Sequence, residues 1–541
     1  MMLKHLSGAA AIATGLCLMT APAQADYSLN ILHINDLHSR ILPVNKYDST
    51  CGEEDLAEGK CFGGFARVSK ALNDRRAALE AKGGNVLVLD AGDQFQGSLF
   101  YTNYKGQAAV ELMNMTGFDV MTIGNHEFDD GPDVFLNFIE KANFPIVGAN
   151  TIAAPGSVLR GKYGTSIVLE RGGEKIGIIG ALAEDTDETS SPGDDITFFD
   201  TANAVQPIVD QMQAQGVNKI ILLSHLGVPR DKQVAKQLTG VDVIVGGHSH
   251  TLLSNSNDRA EGPYPVVETA PDGKKVPIVQ AYAYSKFMGE LNLTFDDEGN
   301  LKGWSGDTVL LDQSYPEDAK MQARIAELNK PLDEIQKREV GSASSVIDGS
   351  RSACRAGECA MANMVADAML ARVNSTGGDA VIALQNGGGV RASIDAGPVT
   401  MGEVLTVLPF QNTIATFKLK GVHFIEALEN GLSKVEEGAG RFPQLSGARY
   451  TWDPKAEPGS RVVSVEVGNE KDGFVALDET KIYSMVTNNY VRNGGDGYSV
   501  LADHAIDAYD FGPSLEDALA GYITVNSPVE GTVSGRIIAQ E

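Results

Sequence analysis

Five short apolar runs in the first half of this chain each end in a cluster of Asp, His or Asn. SLNILHIN (28–35) runs into Asp36-Leu37-His38, and NVLVLD (85–90) runs into Ala91-Gly92-Asp93. DVMTI (119–123) leads to Gly124-Asn125-His126-Glu127, KIILLS (219–224) to His225, and VDVIVGG (241–247) to His248-Ser249-His250. Runs this short and this continuously apolar read as strands buried on both faces. Helical stretches separate them, at 62–82, at 106–117 and from Asp133. Strands covered on both sides and spaced by helices define an α/β layered domain. In such sheets, functional groups gather at the carboxyl ends of the strands. Eight histidines follow residue 25, and five of them fall in these clusters, a concentration that a packed core has no use for.

Asp, His and Asn are ligands for a hard or borderline divalent ion. Asp36 and His38 can aim at one ion from a single turn. Asp93 sits between glycines and can bridge two ions. Asn125 offers a neutral carbonyl oxygen, and His225, His248 and His250 offer imidazoles. Sorted by role, Asp36, His38, Asp93 and His250 hold one metal, while Asp93, Asn125, His225 and His248 hold the other. Two such ions clamp a phosphoryl group and activate water. His126, beside a ligand, is free to hydrogen-bond the transferring group, and Asp129 can fix its tautomer and favour its cationic form. Glu127 has no assigned role beyond a supporting carboxylate, and His33, inside its strand, reads as structural.

The chain of 541 residues is too long for one ordinary domain. A leader precedes the fold: an apolar run at 7–19 and a small-residue site at Ala23-Gln24-Ala25 predict cleavage after Ala25 and export to the periplasm or the medium. No later apolar run approaches a membrane span, so no membrane anchor is expected. The net charge of −27 excludes nucleic acid as a natural partner. Cys17 leaves with the leader. Cys51 with Cys61, and Cys354 with Cys359, then form two local pairs that an oxidising compartment would close as disulfides.

The stretch 275–297 is strand-rich with hairpin character, and 316–340 is polar and helical, a connection to a second domain. This division gives a first domain at 26–315, a linker at 316–344 and a second domain at 345–541. The second domain carries helices near 361–372 and 401–408, strands at 379–385 and 412–420, and a helix from Gly421. Arg355 lies at the tip of CRAGEC, Asn386 and Arg391 flank a glycine turn, and Phe410 follows LP. Tyr490 precedes a glycine turn that holds Asp496. Two arginines suit a phosphate, two aromatics can stack on a planar base, and Asp496 can accept from ribose hydroxyls. Each alone also reads as ordinary packing or turn chemistry, and spacing does not choose among them.

Taken in order, HINDLHSR, LDAGDQFQGS, GNHEFD, LLSHLG, VIVGGHSH, CRAGEC, NGGGVR, VLPF and NGGDGY resemble the 5′-nucleotidase family over nearly the whole exported chain. The resemblance implies a four-layer αββα metallophosphatase domain, a linking helix and a C-terminal α+β nucleotide-binding domain. It implies the seven ligands above for two divalent ions (Zn, Mn or Co), with His126 and Asp129 as the catalytic pair. It also implies Arg355, Asn386, Arg391, Phe410, Tyr490 and Asp496 as nucleotide contacts. His250 departs from the Gln or Asn of relatives, and Tyr490 from a frequent Phe. The expected reaction is hydrolysis of nucleoside 5′-monophosphates such as AMP. Cleavage of UDP-sugars or NAD at the same site, or nucleotide binding without turnover, are the alternatives. Monomer and homodimer stay equally open.

Overall fold

The computed structural model describes residues 26–540 except 47, 49, 50, 411, 470, 472 and 511, so the leader at 1–25 lies outside the described residues. Its first domain is built on two six-stranded sheets. One runs Leu301–Leu310, Phe287–Phe295, Tyr27–Ile34, Asn85–Asp90, Val120–Thr122, Ile146–Val147 in spatial order. The other runs Val266–Thr269, Lys275–Val279, Val243–Val245, Ile220–His225, Glu174–Leu182, Ser166–Arg171. Central strands are parallel in both, from 27–34 to 85–90 and from 174–182 to 220–225 to 243–245.

The alternation of side chains explains the layering. Leu29, Ile31, Leu87 and Leu89 face the second sheet and pack on Ile176, Ile178, Ile221, Leu223, Val243 and Val245. Their neighbours Leu32, Ile34, Val86 and Val88 face outward, into a core with the helices Phe65–Glu80 and Gln107–Thr116. Ile179, Ala181, Leu222 and Ile244 pack on Val205, Val209 and Met212 of the helix Thr201–Ala214. Helix, sheet, sheet, helix is therefore the order of the layers. Strands between two apolar layers cannot alternate polar with apolar, hence their continuous runs.

Two features differ from the sequence expectation. Lys275–Val279 and Phe287–Phe295 do not form a hairpin: the first joins the second sheet and the second the first sheet, against Tyr27–Ile34. The link between them passes through Tyr282, Tyr284 and Ser285 at positive φ, which carries the chain from one sheet to the other. The hairpin pairs Phe287–Phe295 with Leu301–Leu310. The linker is two helices, Ala319–Asn329 and Asp333–Lys337, because Pro331 cannot continue the first. Glu339–Ala343 is already a strand, paired with Gly397–Thr400.

The second domain holds a five-stranded sheet ordered Pro443–Ser446, Ile382–Asn386, Ile482–Asn488, Ile414–Lys420, Ile506–Tyr509. The helices Ala360–Ser375 and Gly421–Leu432 pack with it, and a four-stranded sheet lies beyond. Met321, Ile325, Leu328 and Leu332 of the linker belong to the same buried apolar cluster as Phe65 and Met361, so one core runs through both domains. Cys51–Cys61 and Cys354–Cys359 are both joined, with Cα atoms 5.7 and 4.7 Å apart. No helix among the described residues is long and apolar enough to cross a membrane.

Candidate active site

The strand ends of both sheets meet in one place. His38 Nε2 lies 3.0 Å from His250 Nε2, and His250 Nε2 lies 3.2 Å from Asp36 Oδ1. Asp93 Oδ2 is 3.7 Å from His38 Nε2 and 3.1 Å from His225 Nε2. His248 Nδ1 is 2.9 Å from Asn125 Oδ1. Asp36, His38 and His250 form one group with ligand atoms within 4.8 Å of one another, and Asp93, His225 and His248 form another. Asp93 stands between them. All seven residues sorted by role from the sequence are thus brought together.

The backbone is arranged to aim these groups inward. His38 Nδ1 lies 3.1 Å from the Phe95 carbonyl and His225 Nδ1 2.6 Å from that of Ala91, which directs each Nε2 to the centre. Asn35 donates to Asp36 Oδ2 at 2.7 Å. Asp36, His38, Asp93, His248 and His250 all have left-handed backbones, with φ of 51°, 50°, 60°, 73° and 55°. Non-glycine residues adopt that region rarely, and such residues gather where function demands a side chain. Gly124 and Gly247 permit the close approach: a Cβ on Gly124 would collide with Asp93, and one on Gly247 with Ala91 and His225.

This donor set fits divalent cations. Burial alone would lower the pKa of His225, but Asp93 and Asp36 reverse this and push it up to about 10. The cluster therefore demands positive charge at its centre. Burial holds His248 down at about 3, and burial together with nearby cations holds His38 and His250 well below the histidine range. Neutral imidazoles beside carboxylates are the ligand form.

Glu127 explains how Asp93 and Asn125 keep their places. Its buried carboxylate accepts the backbone N–H groups of Gly124 (2.7 Å), Asp93 (3.0 Å), Gln94 (2.8 Å) and Phe95 (3.2 Å). It ties the turn after one strand to the turn after the next. Beside it, His126 Nδ1 is 2.6 Å from Asp129 Oδ2. Burial would lower the pKa of His126, but the charges of Asp129 and Asp93 outweigh it and hold the imidazole above its usual value.

Across a cavity of about 720 Å³ stand the residues of the second domain. Arg391 is buried, with Nη2 3.2 Å from His38 Nε2 and Nη1 3.5 Å from His126 Nε2. Its guanidinium lies 5.5 Å from the centre of the Phe410 ring, which itself stacks 5.8 Å from His126. Arg355, at the disulfide loop, donates to the Gly438 carbonyl. Burial, Arg351 and Arg391 hold its pKa well below the arginine range. Asn386 donates to Asp496 Oδ2 at 2.6 Å, and the Tyr490 hydroxyl is 3.3 Å from Asp496 Oδ1. Phe410 and Tyr490 line the same cavity, and each of the six second-domain residues reaches it.

Sequence reasoning missed Arg351, which lines the cavity along with Arg230 and Arg441, and whose pKa is lowered first by burial. It lies one helical turn before Arg355 in the segment Arg351–Cys354, a spacing that could have revealed it. Lys434, whose Nζ is 2.9 Å from Asp185 of the first domain, was also missed, and no local signal marks it.

Two facing sheets with an Asp–His cluster fit to hold divalent ions at their strand ends have the form of a metal-dependent phosphoesterase. The comparisons narrow this. Residues 29–252 match the calcineurin-like phosphoesterase model and residues 339–503 the 5′-nucleotidase C-terminal domain. The chain is 37% identical to the 5′-nucleotidase of Homo sapiens over 536 residues, covering 95% of this chain and 92% of that one. It belongs to the 5′-nucleotidase family. Its fold also superposes on the 5′-nucleotidase precursor of Thermus thermophilus, with a TM-score of 0.89 and 40% identity over 95% of this chain and 99% of that one. The NAD nucleotidase of Haemophilus influenzae gives a TM-score of 0.58 and 29% identity, covering 96% and 100%.

Proposed function

We propose that this protein hydrolyses nucleoside 5′-monophosphates to nucleoside and phosphate with the help of two divalent ions. The observation that carries the reading is the pairing, across one cavity, of the Asp–His cluster with Arg351, Arg355, the buried Arg391 and an aromatic, Asp496-bearing turn. Asp36, His38, Asp93 and His250 would hold one ion, and Asp93, Asn125, His225 and His248 the other. Zn, Mn or Co suits this set. When bound, the ions supply charge neutralisation at phosphorus and activation of water.

The chain's own groups do the rest. Arg351, Arg355 and Arg391 receive the phosphate, and an anion among them offsets the burial and the mutual repulsion that together depress Arg355. Asp496, held by Asn386, accepts from the ribose hydroxyls. Tyr490 and Phe410 flank the base. His126, kept protonated by Asp129 and aimed by Nδ1, presents Nε2 to the phosphoryl group and stabilises the charge that grows as the ester bond breaks. The small-residue site at Ala23-Gln24-Ala25 and the two disulfides support export to the periplasm or the medium, with a small nucleotide as the partner.

The test is phosphate release from AMP by the exported chain, with chelator and then with Mn²⁺, Co²⁺ or Zn²⁺ restored. Metal-dependent release is expected, and none with any of the three ions overturns the reading. A second reading, cleavage of a dinucleotide or nucleoside-diphosphate sugar, is favoured by the cavity of about 720 Å³ and by the likeness to an NAD nucleotidase. NAD and UDP-glucose run in parallel decide between them by which bond is cut first.

A further inference from the structure

We propose that Ser190 is a positioning residue for the His126–Asp129 pair, delivered by a segment that bears on the nucleotide-binding domain. The proposal rests on the reading that this pair acts on the phosphoryl group. Ser190 is buried, and its hydroxyl donates to Asp129 Oδ1 at 2.7 Å. The other oxygen of the same carboxylate, Oδ2, faces His126 Nδ1 at 2.6 Å. With one oxygen held by Ser190, the carboxylate cannot turn about its last torsion without breaking a bond. The imidazole is thereby kept in one orientation, with Nε2 toward the cavity.

The segment that carries Ser190 crosses between the domains. The Thr186 hydroxyl donates to the Ala183 carbonyl at 2.7 Å, tying the start of this segment to the end of the strand before it. The short helix Thr186–Thr189 packs on the turn Gly495–Gly497, which holds Asp496. Asp185 meets Lys434 of the second domain at 2.9 Å. The sugar-facing turn and the orientation of Asp129 thus share one stretch of chain. Ser190 orients His126 through Asp129 without touching the nucleotide itself, so its loss falls on turnover rather than on capture.

The experiment is a double-mutant cycle on AMP hydrolysis with Ser190→Ala and Asp129→Asn, measured on the metal-loaded full exported chain. S190A is expected to lower kcat by about tenfold to a hundredfold, the scale of one hydrogen bond to a charged acceptor. KM should stay within about threefold, and metal content by mass spectrometry should equal that of the wild type. In the D129N background the same change should cost less than about twofold, because the oriented carboxylate is already gone. A kcat for S190A within about twofold of wild type, a loss carried by KM alone, or an undiminished loss in D129N overturns the role. An active wild type with an indifferent S190A removes the Ser190 role alone. A wild type inactive on AMP removes the nucleotidase reading and this role with it.

Discussion

Replacing Glu127 with Gln tests whether one carboxylate holds the metal-binding turns in register. Oε2 accepts from Gly124 and Asp93, and Oε1 from Gln94 and Phe95. An amide can keep one such oxygen and must turn its NH₂ toward two backbone donors on the other side. Two bonds to a charged acceptor are then lost, at about 1.5–3 kcal/mol each, or roughly 3–6 kcal/mol if the turns stay put. They will not stay put at that cost, so Asp93 and Asn125 shift instead. Burial and the charge of Asp93 push the Glu127 carboxyl up to about 7, so the assay belongs at pH 8, where the ionised form prevails. At that pH, E127Q is expected to lose at least about a hundredfold in kcat/KM, equal to about 2.7 kcal/mol of transition-state stabilisation. Metal retained after dialysis should fall with it, while circular dichroism keeps the native spectrum. A variant with wild-type rate and metal content would refute the argument. It would mean that the carboxyl is neutral in the fold, since only then is glutamine a harmless replacement.

Asp93→Asn removes the charge shared by the two ligand groups, so both ions should be lost together rather than one, as read by metal analysis, and turnover should drop by about a thousandfold or more. Tyr490→Ala removes one face of the proposed base site and should raise KM for AMP by about tenfold to a hundredfold, with kcat changed less, in line with a stacking contact of about 1–3 kcal/mol. Asp242 is buried, accepts from the Ile220 N–H at 2.8 Å, and is raised to about 7, first by burial. Its folded pKa exceeds the unfolded one, so its favourable contribution is complete below about pH 4 and is lost as pH rises through 7. D242N, whose carbonyl can still accept from Ile220, should therefore melt above the wild type at pH 8, with the gap closing toward pH 4.

The first domain was legible because its strands are buried on both faces and its Asp, His and Asn cluster sits where those strands end. Local pattern carries both facts. The hairpin misread at 275–297 shows the limit: two adjacent strands look alike whether they pair or part, and the left-handed turn at Tyr282–Ser285 that separates them has no glycine to announce it. Ser190, Arg351 and Lys434 escaped for a related reason, and Glu127 was legible only as a supporting carboxylate. What gives each its role is a partner far along the chain or in the other domain, such as Phe95, Asp129, Arg391 or Asp185. Arg355, Asn386, Arg391, Phe410, Tyr490 and Asp496 had suitable chemistry, but spacing did not choose among them and the resemblance did, since glycine turns and lone aromatics are common in any core.

The left-handed backbones at positions 36, 38, 93, 248 and 250 set stability against activity in this fold. Each would be relaxed by glycine, by about 1 kcal/mol, and five together approach the net stability of a typical domain, about 5–15 kcal/mol. A selection for heat resistance alone would drift toward glycine at these five sites and yield robust, inert proteins. Only a selection that also demands turnover keeps aspartate and histidine there. Breeding a hardier version of this enzyme should therefore begin far from the strand ends, in the loops and the outer helices.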